Sequence, residues 1–259
     1  MVLCAYGDNP FLQEAAQSLA QQSIPVKVIM VTSTPSAYIE GIARKYQFDY
    51  FVNPDKGKGI GADWEFAASC AKTQYVTIAH QDDVYFPDYA KNVLDSFARY
   101  PDSLIVFTNS CDKINGELKF NRSYLQIKRL LLWAYYIKSS WKLKIFKAMT
   151  YAFGNAICCP SATYNVAVSG EIKFDQNYAS NLDWQKWIEL AQKQGRFTYV
   201  KKIMMAHRID ETTATSSLIK DNRRYNEDLR MFTEIWGKNI AKFLMLFYAR
   251  AYKMAEAKK

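Results

Sequence analysis

Strand and helix patterns alternate along the first hundred residues of this chain, and no other feature of the sequence restricts its fold as much. Short apolar runs predict strands, and longer stretches with apolar residues at helical spacing predict helices. The predicted strands are Val2–Tyr6, Val26–Val31, Tyr50–Val52, Tyr75–Ala79 and Ser103–Thr108. The predicted helices between them are Pro10–Gln22, Ser36–Tyr46, Ala62–Ala71 and Pro87–Arg99. Strands joined by single helices need crossover connections, so we expect an α/β fold with a mainly parallel central sheet flanked by helices.

The size and composition of the chain fit one such domain. Of its 259 residues 49% are hydrophobic and 15% aromatic, which is enough to bury a large core, and no linker-like stretch divides them. The longest uninterrupted apolar run, Leu130–Ile137, is far shorter than the about 20 residues that a membrane-spanning helix needs. The five cysteines lack metal-binding spacing and predict reduced thiols, which favours a cytoplasmic location.

The second half of the sequence has a less regular pattern. Gln126–Ala148 predicts one or two basic, aromatic helices, and Phe153–Val166 a loop followed by a strand. Apolar residues at helical spacing predict a helix at Asp183–Gln194 and a final amphipathic helix at Asn239–Ala255. Between these helices, Phe197–Val200 and Ile203–Ala206 are two short strand predictions.

Polar residues and glycines follow the predicted strands at four places. In open α/β sheets, ligands bind beyond the carboxyl ends of the strands, so these segments are the candidate site. They are Tyr6–Asn9, Thr32–Pro35, Asn53–Gly61 and His80–Asp83.

Two adjacent carboxylates, Asp82 and Asp83, follow the buried strand that ends at Ala79. Such a pair is electrostatically costly unless a cation offsets it, and carboxylate oxygens suit Mg²⁺ or Mn²⁺. The pair is also compatible with a helix N-cap before Pro87 or with a solvated turn.

Three further polar segments have both a functional and a structural interpretation. The glycines of Lys56–Gly61 could bring backbone amides close to a phosphate, or could belong to a flexible surface loop. The spacing of Ser180 and Asp183 is that of a helix capping box, which from spacing alone is favoured over a catalytic role for Asp183. The segment His207–Asp210, taken alone, favours an ion-paired surface turn.

The net charge of +9 is concentrated in two segments. Between Glu117 and Glu171 there is no acidic residue but eight basic ones, and from Trp236 onward six basic residues face one acid, Glu256. The rest of the chain is net acidic and contains no recognised nucleic-acid-binding motif, so we do not expect nucleic acid as a partner. Because both basic segments are also aromatic, one hypothesis is attachment to an anionic membrane surface, and the alternatives are a solvated helical hairpin or an oligomer contact.

Several segments, in this order along the chain, resemble family 2 glycosyltransferases, and the resemblance extends over about residues 1–217. The segments are Tyr6-Gly7-Asp8-Asn9, Gly61-Ala62-Asp63-Trp64-Glu65-Phe66-Ala67, Ala79-His80-Gln81-Asp82-Asp83, Phe153-Gly154-Asn155-Ala156-Ile157-Cys158-Cys159-Pro160-Ser161, Leu182-Asp183-Trp184 and His207-Arg208-Ile209-Asp210-Glu211-Thr212-Thr213-Ala214-Thr215. The third resembles the family's DxD motif, with Gln81 in the place of the first Asp. The fifth resembles its Glu-Asp motif, with Leu182 in the place of Glu.

The resemblance implies a GT-A domain at residues 1–217, with a basic aromatic helical insertion at about 124–148, and a C-terminal helical extension at 218–259. It also implies Asp183 as the catalytic base and Asp83, with Asp82 beside it, as the ligands of Mn²⁺ or Mg²⁺. The donor-binding residues that it implies are Ala5, Tyr6, Asp8, Ser33, Gly59, Asp63, Gln81, Asp82, Asn155, His207 and Arg208. Many members have a uracil-reading Asp where this chain has Val31-Thr32-Ser33-Thr34, so the nucleobase is not assigned.

The function implied by the resemblance is inverting transfer of a sugar from a nucleoside-diphosphate-sugar to a hydroxyl of a glycan or lipid-linked glycan. Such an enzyme would act in cell-surface polysaccharide biosynthesis, in the cytoplasm or at the inner face of the plasma membrane. Asp63 stands where the family usually has Asn, and Asp210 where it often has His. Together with Gln81, these departures leave open a non-catalytic partner subunit with the same fold. A nucleotidyltransferase would need a stronger triphosphate-binding loop than Lys56–Gly61.

Overall fold

The computed structural model describes residues 1–55, 57–210 and 223–256, with side chains up to residue 248. The helices are α1 Leu12–Ala20, α2 Ala37–Lys45, α3 Ile60–Cys70, α4 Tyr89–Arg99, α5 Ser123–Leu131, α6 Trp133–Ile137, α7 Lys144–Ala148, α8 Val166–Ser169, α9 Leu182–Gln192, α10 Arg223–Trp236 and α11 Lys238–Glu256. The strands are β1 Val2–Ala5, β2 Ile29–Thr32, β3 Asp49–Val52, β4 Tyr75–His80, β5 Val84–Tyr85, β6 Ser103–Ile114, β7 Glu117–Lys119, β8 Ser140–Trp141, β9 Ala162–Asn165 and β10 Arg196–Arg208. A 3₁₀ turn, Cys159–Ser161, precedes β9.

All the described strands form one sheet, in the order β3-β2-β1-β4-β9-β6-β10-β5, with β7 paired to β6 and β8 to β10. The strands β3, β2, β1 and β4 pair in parallel, as the alternating sequence pattern predicts, and β6 pairs in parallel with β10. Strand β9 is antiparallel to both of its neighbours, and β5, β7 and β8 also pair antiparallel. The predicted α/β fold with a mainly parallel central sheet is therefore confirmed, with antiparallel pairs in its second half.

Helices cover both faces of the sheet. Helices α1, α2 and α4 bury apolar residues with one side of the strands, for example Leu3 and Met30. Helices α3, α9, α10 and α11 pack on the other side with Val2 and Val31. Because both faces are covered, each central strand is apolar on both sides, which explains the uninterrupted apolar runs in the sequence.

The structure corrects three predictions in the second half of the chain. Gln126–Ala148 is not one or two helices but parts of three short ones, α5 to α7, with strand β8 between α6 and α7. The two short strands predicted after Phe197 are one strand, β10, which continues through irregularities in its pairing with β6 between Val200 and Met205. The strand predicted to end at Thr108 extends to Ile114.

The C-terminal helix prediction is confirmed by α11, whereas α10 was not located from the sequence. Met231 and Phe232 of α10 and Ala241 and Met245 of α11 are buried in the same core as the sheet. The predicted boundary at residue 217 lies outside the described residues, and so do Lys56 and residues 211–215 of the segment that resembles the family.

Candidate functional site

The ends of strands β1, β2, β3 and β4 come together at one edge of the sheet, where the sequence predicted a ligand site. The backbone N–H of Tyr6, after β1, donates to the Oε1 of Gln81, after β4, at 2.8 Å. The backbone N–H of Gly7 donates to the Oγ1 of Thr34, after β2, at 2.7 Å. Ala5 is the buried last residue of β1, and the ring of Tyr6 is 63% exposed above it. These bonds tie together three strand ends and leave an exposed aromatic ring at the rim.

Asp63 of helix α3 contacts the ends of strands β2 and β3. Its Oδ2 accepts from the Oγ of Ser33 at 3.0 Å, and its Oδ1 accepts from the Nδ2 of Asn53 at 2.9 Å. Ser33 and Asn53 are both buried. The helix begins after Gly59, whose φ of +93° lies in the region that favours glycine. The structure thus places Ser33 and Asp63, both predicted to bind the donor, in direct contact.

Asp8 lies at the rim of the same edge. Its Oδ1 accepts from the Oγ of Ser36 at 2.6 Å, while that Oγ also accepts from the backbone N–H of Ile39 as the N-cap of α2. Asp8 therefore belongs to the capped start of α2.

The predicted carboxylate pair lies beside a histidine that the sequence interpretation did not include as a ligand. His80, Asp82 and Asp83 each offer a ligand atom, and these atoms all lie within 4.8 Å of one another. Asp83 is 1% exposed, and helix α4 has Asp88 at its N-cap position, so the N-cap and solvated-turn interpretations of the pair are wrong. The pairing of β5 with β10 brings this pair next to His207 and Arg208.

The buried atoms of this cluster fit a divalent cation. The Oδ1 of Asp83 accepts from the backbone N–H of Arg208 at 2.9 Å, but among the described residues neither its Oδ2 nor the Nε2 of His80 has a hydrogen-bond partner. Burial raises the pKa of Asp83 well above its usual range, and the charge of Asp82 raises it further. Burial lowers the pKa of His80 to about 4, so its ring is neutral and able to act as a ligand near neutral pH.

His207 and Arg208 point to opposite faces of β10, as neighbouring residues of a strand do. The Nε of Arg208 donates to the backbone carbonyl of Asp82 at 2.8 Å, and its Nη2 pairs with Glu14 of α1. Arg208 is buried, with its guanidinium 3.9 Å from the ring centroid of Phe11. The surface-turn interpretation of this segment is therefore wrong, because Arg208 is an interior part of the cluster.

A second buried carboxylate, Asp183, lies at the start of α9. Its Oδ2 accepts from the Nδ2 of Asn155 at 2.7 Å, and both residues are buried. Burial raises the pKa of Asp183, while the Asn155 hydrogen bond and the charge of Arg224 oppose that rise. A buried carboxylate with a raised pKa is suited to accept a proton near neutral pH.

The capping-box interpretation of Ser180 and Asp183 is wrong, because Ser180 bonds elsewhere. A carboxylate on α10, Glu227, accepts from the Oγ of Ser180 at 2.7 Å and from the backbone N–H groups of Ala179, Ser180 and Asn181 at 2.7, 2.8 and 3.0 Å. Glu227, which is distant in sequence, therefore fixes the loop before α9, and the Asp183 carboxylate accepts a hydrogen bond from Asn155 instead of capping the helix with Ser180.

Two groups, His207 and Cys159, are affected electrostatically by residues around both the Asp82–Asp83 pair and Asp183. The pKa of His207 is lowered to about 3, mainly by burial and further by the charges of Lys128, His80 and Arg224. Burial of the Cys159 thiol raises its pKa, and the charges of both Asp183 and Asp83 add to that rise. The basic residues Lys128 of α5 and Arg224 of α10 were not predicted as site residues, because no spacing in the sequence relates them to Asp183.

A large cavity of about 390 Å³ lies elsewhere, at the amino ends of β1 to β4. Met1, Lys27, Asp49 and Cys70 are among the residues that line it. Because none of the predicted site residues lies there, it is not the candidate donor site.

Comparison with known proteins agrees with this geometry. Residues 1–164, more than half of the chain, match the family model described as glycosyl transferase family 2. No curated protein matches the chain. S. aureus TarS 1-349 in complex with UDP-GlcNAc is a similar solved structure, with 14% identity, a TM-score of 0.65, and coverage of 93% of this chain and 72% of that one. The mannosyltransferase PcManGT from Pyrobaculum calidifontis, in complex with GDP-Man and Mn²⁺, has 13% identity and a TM-score of 0.64, and the match covers 100% of this chain and 74% of that one. These likenesses show a GT-A fold.

Proposed function

The chain belongs to glycosyl transferase family 2, and from that premise we propose that it is an inverting glycosyltransferase. It would transfer a sugar from a nucleoside-diphosphate-sugar to a hydroxyl of a glycan or lipid-linked glycan in cell-surface polysaccharide biosynthesis. We place its action in the cytoplasm, at the inner face of the plasma membrane. The observation that carries the proposal is the buried Asp83, whose Oδ2 has no hydrogen-bond partner among the described residues. Asp83, His80 and Asp82 each offer a ligand atom, and these atoms lie within 4.8 Å of one another.

The donor would bind across the joined strand ends. The Tyr6 ring and the Ser33–Asp63–Asn53 contacts are in a position to meet the nucleoside, and the backbone amides at Gly59, before α3, favour an anion. The diphosphate would face His80, Asp82 and Asp83. Two similar structures support this donor class, since one is a complex with UDP-GlcNAc and the other a complex with GDP-Man.

His80, Asp82 and Asp83 are the residues that would hold Mn²⁺ or Mg²⁺. When bound, the cation supplies positive charge that offsets the negative charge of the leaving diphosphate. Arg208 positions this cluster, because its backbone N–H holds Asp83 and its side chain holds the Asp82 carbonyl. His207, on the opposite face of β10, would contact the donor.

Asp183 would act as the base. It accepts the proton of the acceptor hydroxyl while that oxygen attacks the anomeric carbon from the face opposite the diphosphate, whose bond to the sugar breaks. The Nδ2 of Asn155 fixes one carboxylate oxygen of Asp183 and so orients the carboxylate. A single displacement of this kind inverts the anomeric configuration.

A thermal-shift screen of UDP, GDP, dTDP and CMP, each with and without Mn²⁺, tests the proposal. We expect one nucleoside diphosphate to raise the melting temperature only with Mn²⁺, and Asp83→Asn to abolish that rise. Asp95→Asn, which changes an exposed carboxylate paired with Lys91, is the matched control and should retain it. If no nucleotide stabilises the chain, the enzyme proposal is wrong.

One observation favours a non-catalytic partner subunit as the second candidate. Arg208 is one of the predicted donor-binding residues, but its guanidinium already pairs with Glu14 and donates a hydrogen bond to the Asp82 carbonyl. A partner subunit would show neither nucleotide binding nor hydrolysis of a nucleotide-sugar, and the same screen distinguishes the two.

A further inference from the structure

Large apolar side chains are exposed on the part of the surface formed by α5 to α7, the turn after them, the end of α10, and α11. Of the 22 exposed large apolar side chains that the structure describes, 13 belong to residues 127–153 and 236–247. They are Ile127, Leu130, Trp133, Tyr136, Ile137, Leu143, Ile145, Phe153, Trp236, Ile240, Phe243, Leu246 and Phe247. We call these residues the apolar surface. Its two parts adjoin, because α11 contacts α5 and the ring of Phe153 lies 5.2 Å from that of Trp236.

Helix α11 is apolar on both its inner and its outer side. Ala241 and Met245 are buried against the core, whereas Phe243, Leu246 and Phe247, which face outward, are 58%, 63% and 56% exposed. A helix on the surface of a water-soluble protein normally has a polar outer face. An exposed apolar patch of this kind marks a surface that binds a partner or a membrane.

The charge around the apolar surface selects among possible occupants. No acidic residue occurs between residues 118 and 170 or between 237 and 248. Lys138, Lys144 and Lys242 are exposed there, and the Nζ of Lys138 lies 5.3 Å from the ring of Trp141. A second copy of the chain packed on this surface would bring lysines against lysines, whereas an anionic surface would pair with them.

We propose that the apolar surface binds the interface of an anionic lipid bilayer. Basic helices with an apolar outer face lie in the plane of such interfaces, with aromatic rings at the headgroup level. Trp133 and Tyr136 are exposed in the place where such rings would insert. No helix that the structure describes is long and apolar enough to cross a membrane.

The same surface adjoins the candidate catalytic residues. Phe153 precedes Asn155, which hydrogen-bonds Asp183, by two residues, and Lys128 of α5 is close enough to influence the pKa of Asp183. Membrane binding would therefore bring Asp183 near an acceptor carried by a lipid. That consequence rests on the proposed function, but the membrane contact itself does not.

Co-sedimentation with vesicles tests the contact without any donor or acceptor. We expect the whole chain to sediment with vesicles of phosphatidylcholine and phosphatidylglycerol at low salt, and at least about tenfold less with phosphatidylcholine alone. Raising the salt from about 0.05 M to about 0.5 M should release much of the bound protein, because screening weakens the attraction of the lysines. Equal binding to both kinds of vesicle, or no binding to the anionic ones at low salt, would overturn the proposal.

Two variants and a matched control locate the contact. Phe243→Ser with Phe247→Ser should lower binding at least about tenfold, while Phe51→Ser with Leu94→Ser, which removes exposed apolar residues elsewhere, should leave it unchanged. Lys138→Glu with Lys242→Glu keeps the apolar side chains and should lose the preference for anionic vesicles. Equal binding of the Phe243 and control variants would contradict the assignment. So would a concentration-dependent dimer, formed without vesicles, that the Phe243 variant abolishes.

Discussion

Replacing Asp183 by asparagine tests the assignment of the base most directly. The carboxylate is 8% exposed, and its Oδ2 accepts from the Nδ2 of Asn155 at 2.7 Å. An asparagine side chain has nearly the same shape and its carbonyl can still accept that hydrogen bond, but it can neither take up a proton nor carry a negative charge. The substitution therefore removes the proposed chemistry and leaves most of the packing.

The expected effects on rate and on stability differ in sign. A positioned general base contributes about 10²–10⁴ in rate, so turnover should fall by about that factor. Burial raises the pKa of Asp183 in the folded protein, so the unfolded chain loses this proton at a lower pH than the folded one. Rising pH therefore destabilises the wild type through this group, from the ordinary pKa of about 3.8 up to the raised folded value, and does not destabilise the asparagine variant in this way.

The stability difference should be small at low pH and should favour the asparagine variant at neutral pH. The asparagine variant can lose at most the hydrogen bond from Asn155, which contributes about 1 kcal/mol to the free energy of unfolding. That loss would lower the melting temperature by about 2–4 °C. Asp183→Ala is the contrasting variant, because it leaves the buried Nδ2 of Asn155 unpaired and should cost about 1–3 kcal/mol.

Three measurements decide the question. Hydrolysis or transfer of the nucleotide-sugar gives turnover, calorimetric titration of the stabilising nucleoside diphosphate gives donor affinity, and thermal denaturation from pH 5 to pH 8 gives stability. Asp183→Asn should leave donor affinity within about twofold, since the base acts on the acceptor hydroxyl. Retention of more than a tenth of the turnover, or a tenfold loss of donor affinity, would refute the role of Asp183.

Three further predictions follow from the contacts around the site. Glu227→Ala should lower the free energy of unfolding, measured by denaturation, by about 3 kcal/mol, because three backbone N–H groups lose a charged acceptor. In kinetic measurements the same variant should reduce kcat more than donor affinity. Protonation of His80 and His207 in the unfolded chain should destabilise the fold as pH drops from about 6.5 toward about 4, because their pKa values in the folded protein are lowered to about 4 and about 3. The buried acids Asp83 and Asp183, whose pKa values are raised, act in the opposite direction, so the measurement is the difference between two melting-temperature profiles: over this range His207→Gln should lose less stability than the wild type. Gly154→Ala should destabilise by about 1–3 kcal/mol and impair turnover, because residue 154 has a φ of +135° and an added Cβ would lie 2.6 Å from the Cε2 of Tyr248.

Exposed positions provide the matched controls for these variants. Glu171→Ala removes a surface carboxylate paired with Lys173 and should change the free energy of unfolding by less than about 1 kcal/mol. Gly41→Ala adds a Cβ that meets nothing within 4 Å on helix α2 and should be neutral or stabilising. If Glu227→Ala leaves the free energy of unfolding unchanged, the loop before α9 does not depend on Glu227 for its stability. If His207→Gln leaves the pH dependence of the melting temperature unchanged, His207 does not cause the loss of stability at low pH.

The alternating pattern in the first hundred residues predicted the part of the fold that contains the candidate donor site. Local periodicity was sufficient there, because the central strands β1, β2 and β4 are covered on both faces and the helices pack directly on neighbouring strands. The same rule located the strand ends, and the structure connects them by contacts that the sequence did not predict, such as the hydrogen bonds from Tyr6 to Gln81 and from Ser33 to Asp63 of α3.

The sequence could not predict the contacts that join distant segments. Glu227 holds a loop 46 to 48 residues earlier in the chain, and Glu14 pairs with Arg208 at a separation of 194 residues. No periodicity relates such positions, so the spacing of Ser180 and Asp183 suggested a capping box, whereas Ser180 bonds to Glu227 instead. His80 was not assigned as a ligand because a lone histidine at a strand end has no distinctive spacing. Only the structure shows it beside Asp82 and Asp83, in a group that could hold a metal ion.

The two buried carboxylates of the site differ in what surrounds them, and that difference supports different roles. Burial raises the pKa of both Asp83 and Asp183. Around Asp183 the Asn155 amide and the charge of Arg224 partly offset this rise, so a proton can be taken up and released there without another ligand. Around Asp83 the hydrogen bond and charge of Arg208 also offset the rise, but the charge of Asp82 adds to it. A buried Asp83 oxygen has no hydrogen-bond partner among the described residues, so this carboxylate is costly to keep ionised unless a cation is bound. Because different environments suit carboxylates to different roles, these surroundings are consistent with our proposal that Asp183 accepts the proton and Asp83 binds the cation. If the roles were exchanged, Asp83 would have to accept a proton beside the charge of Asp82, and Asp183 would have to bind a cation while hydrogen-bonded to Asn155.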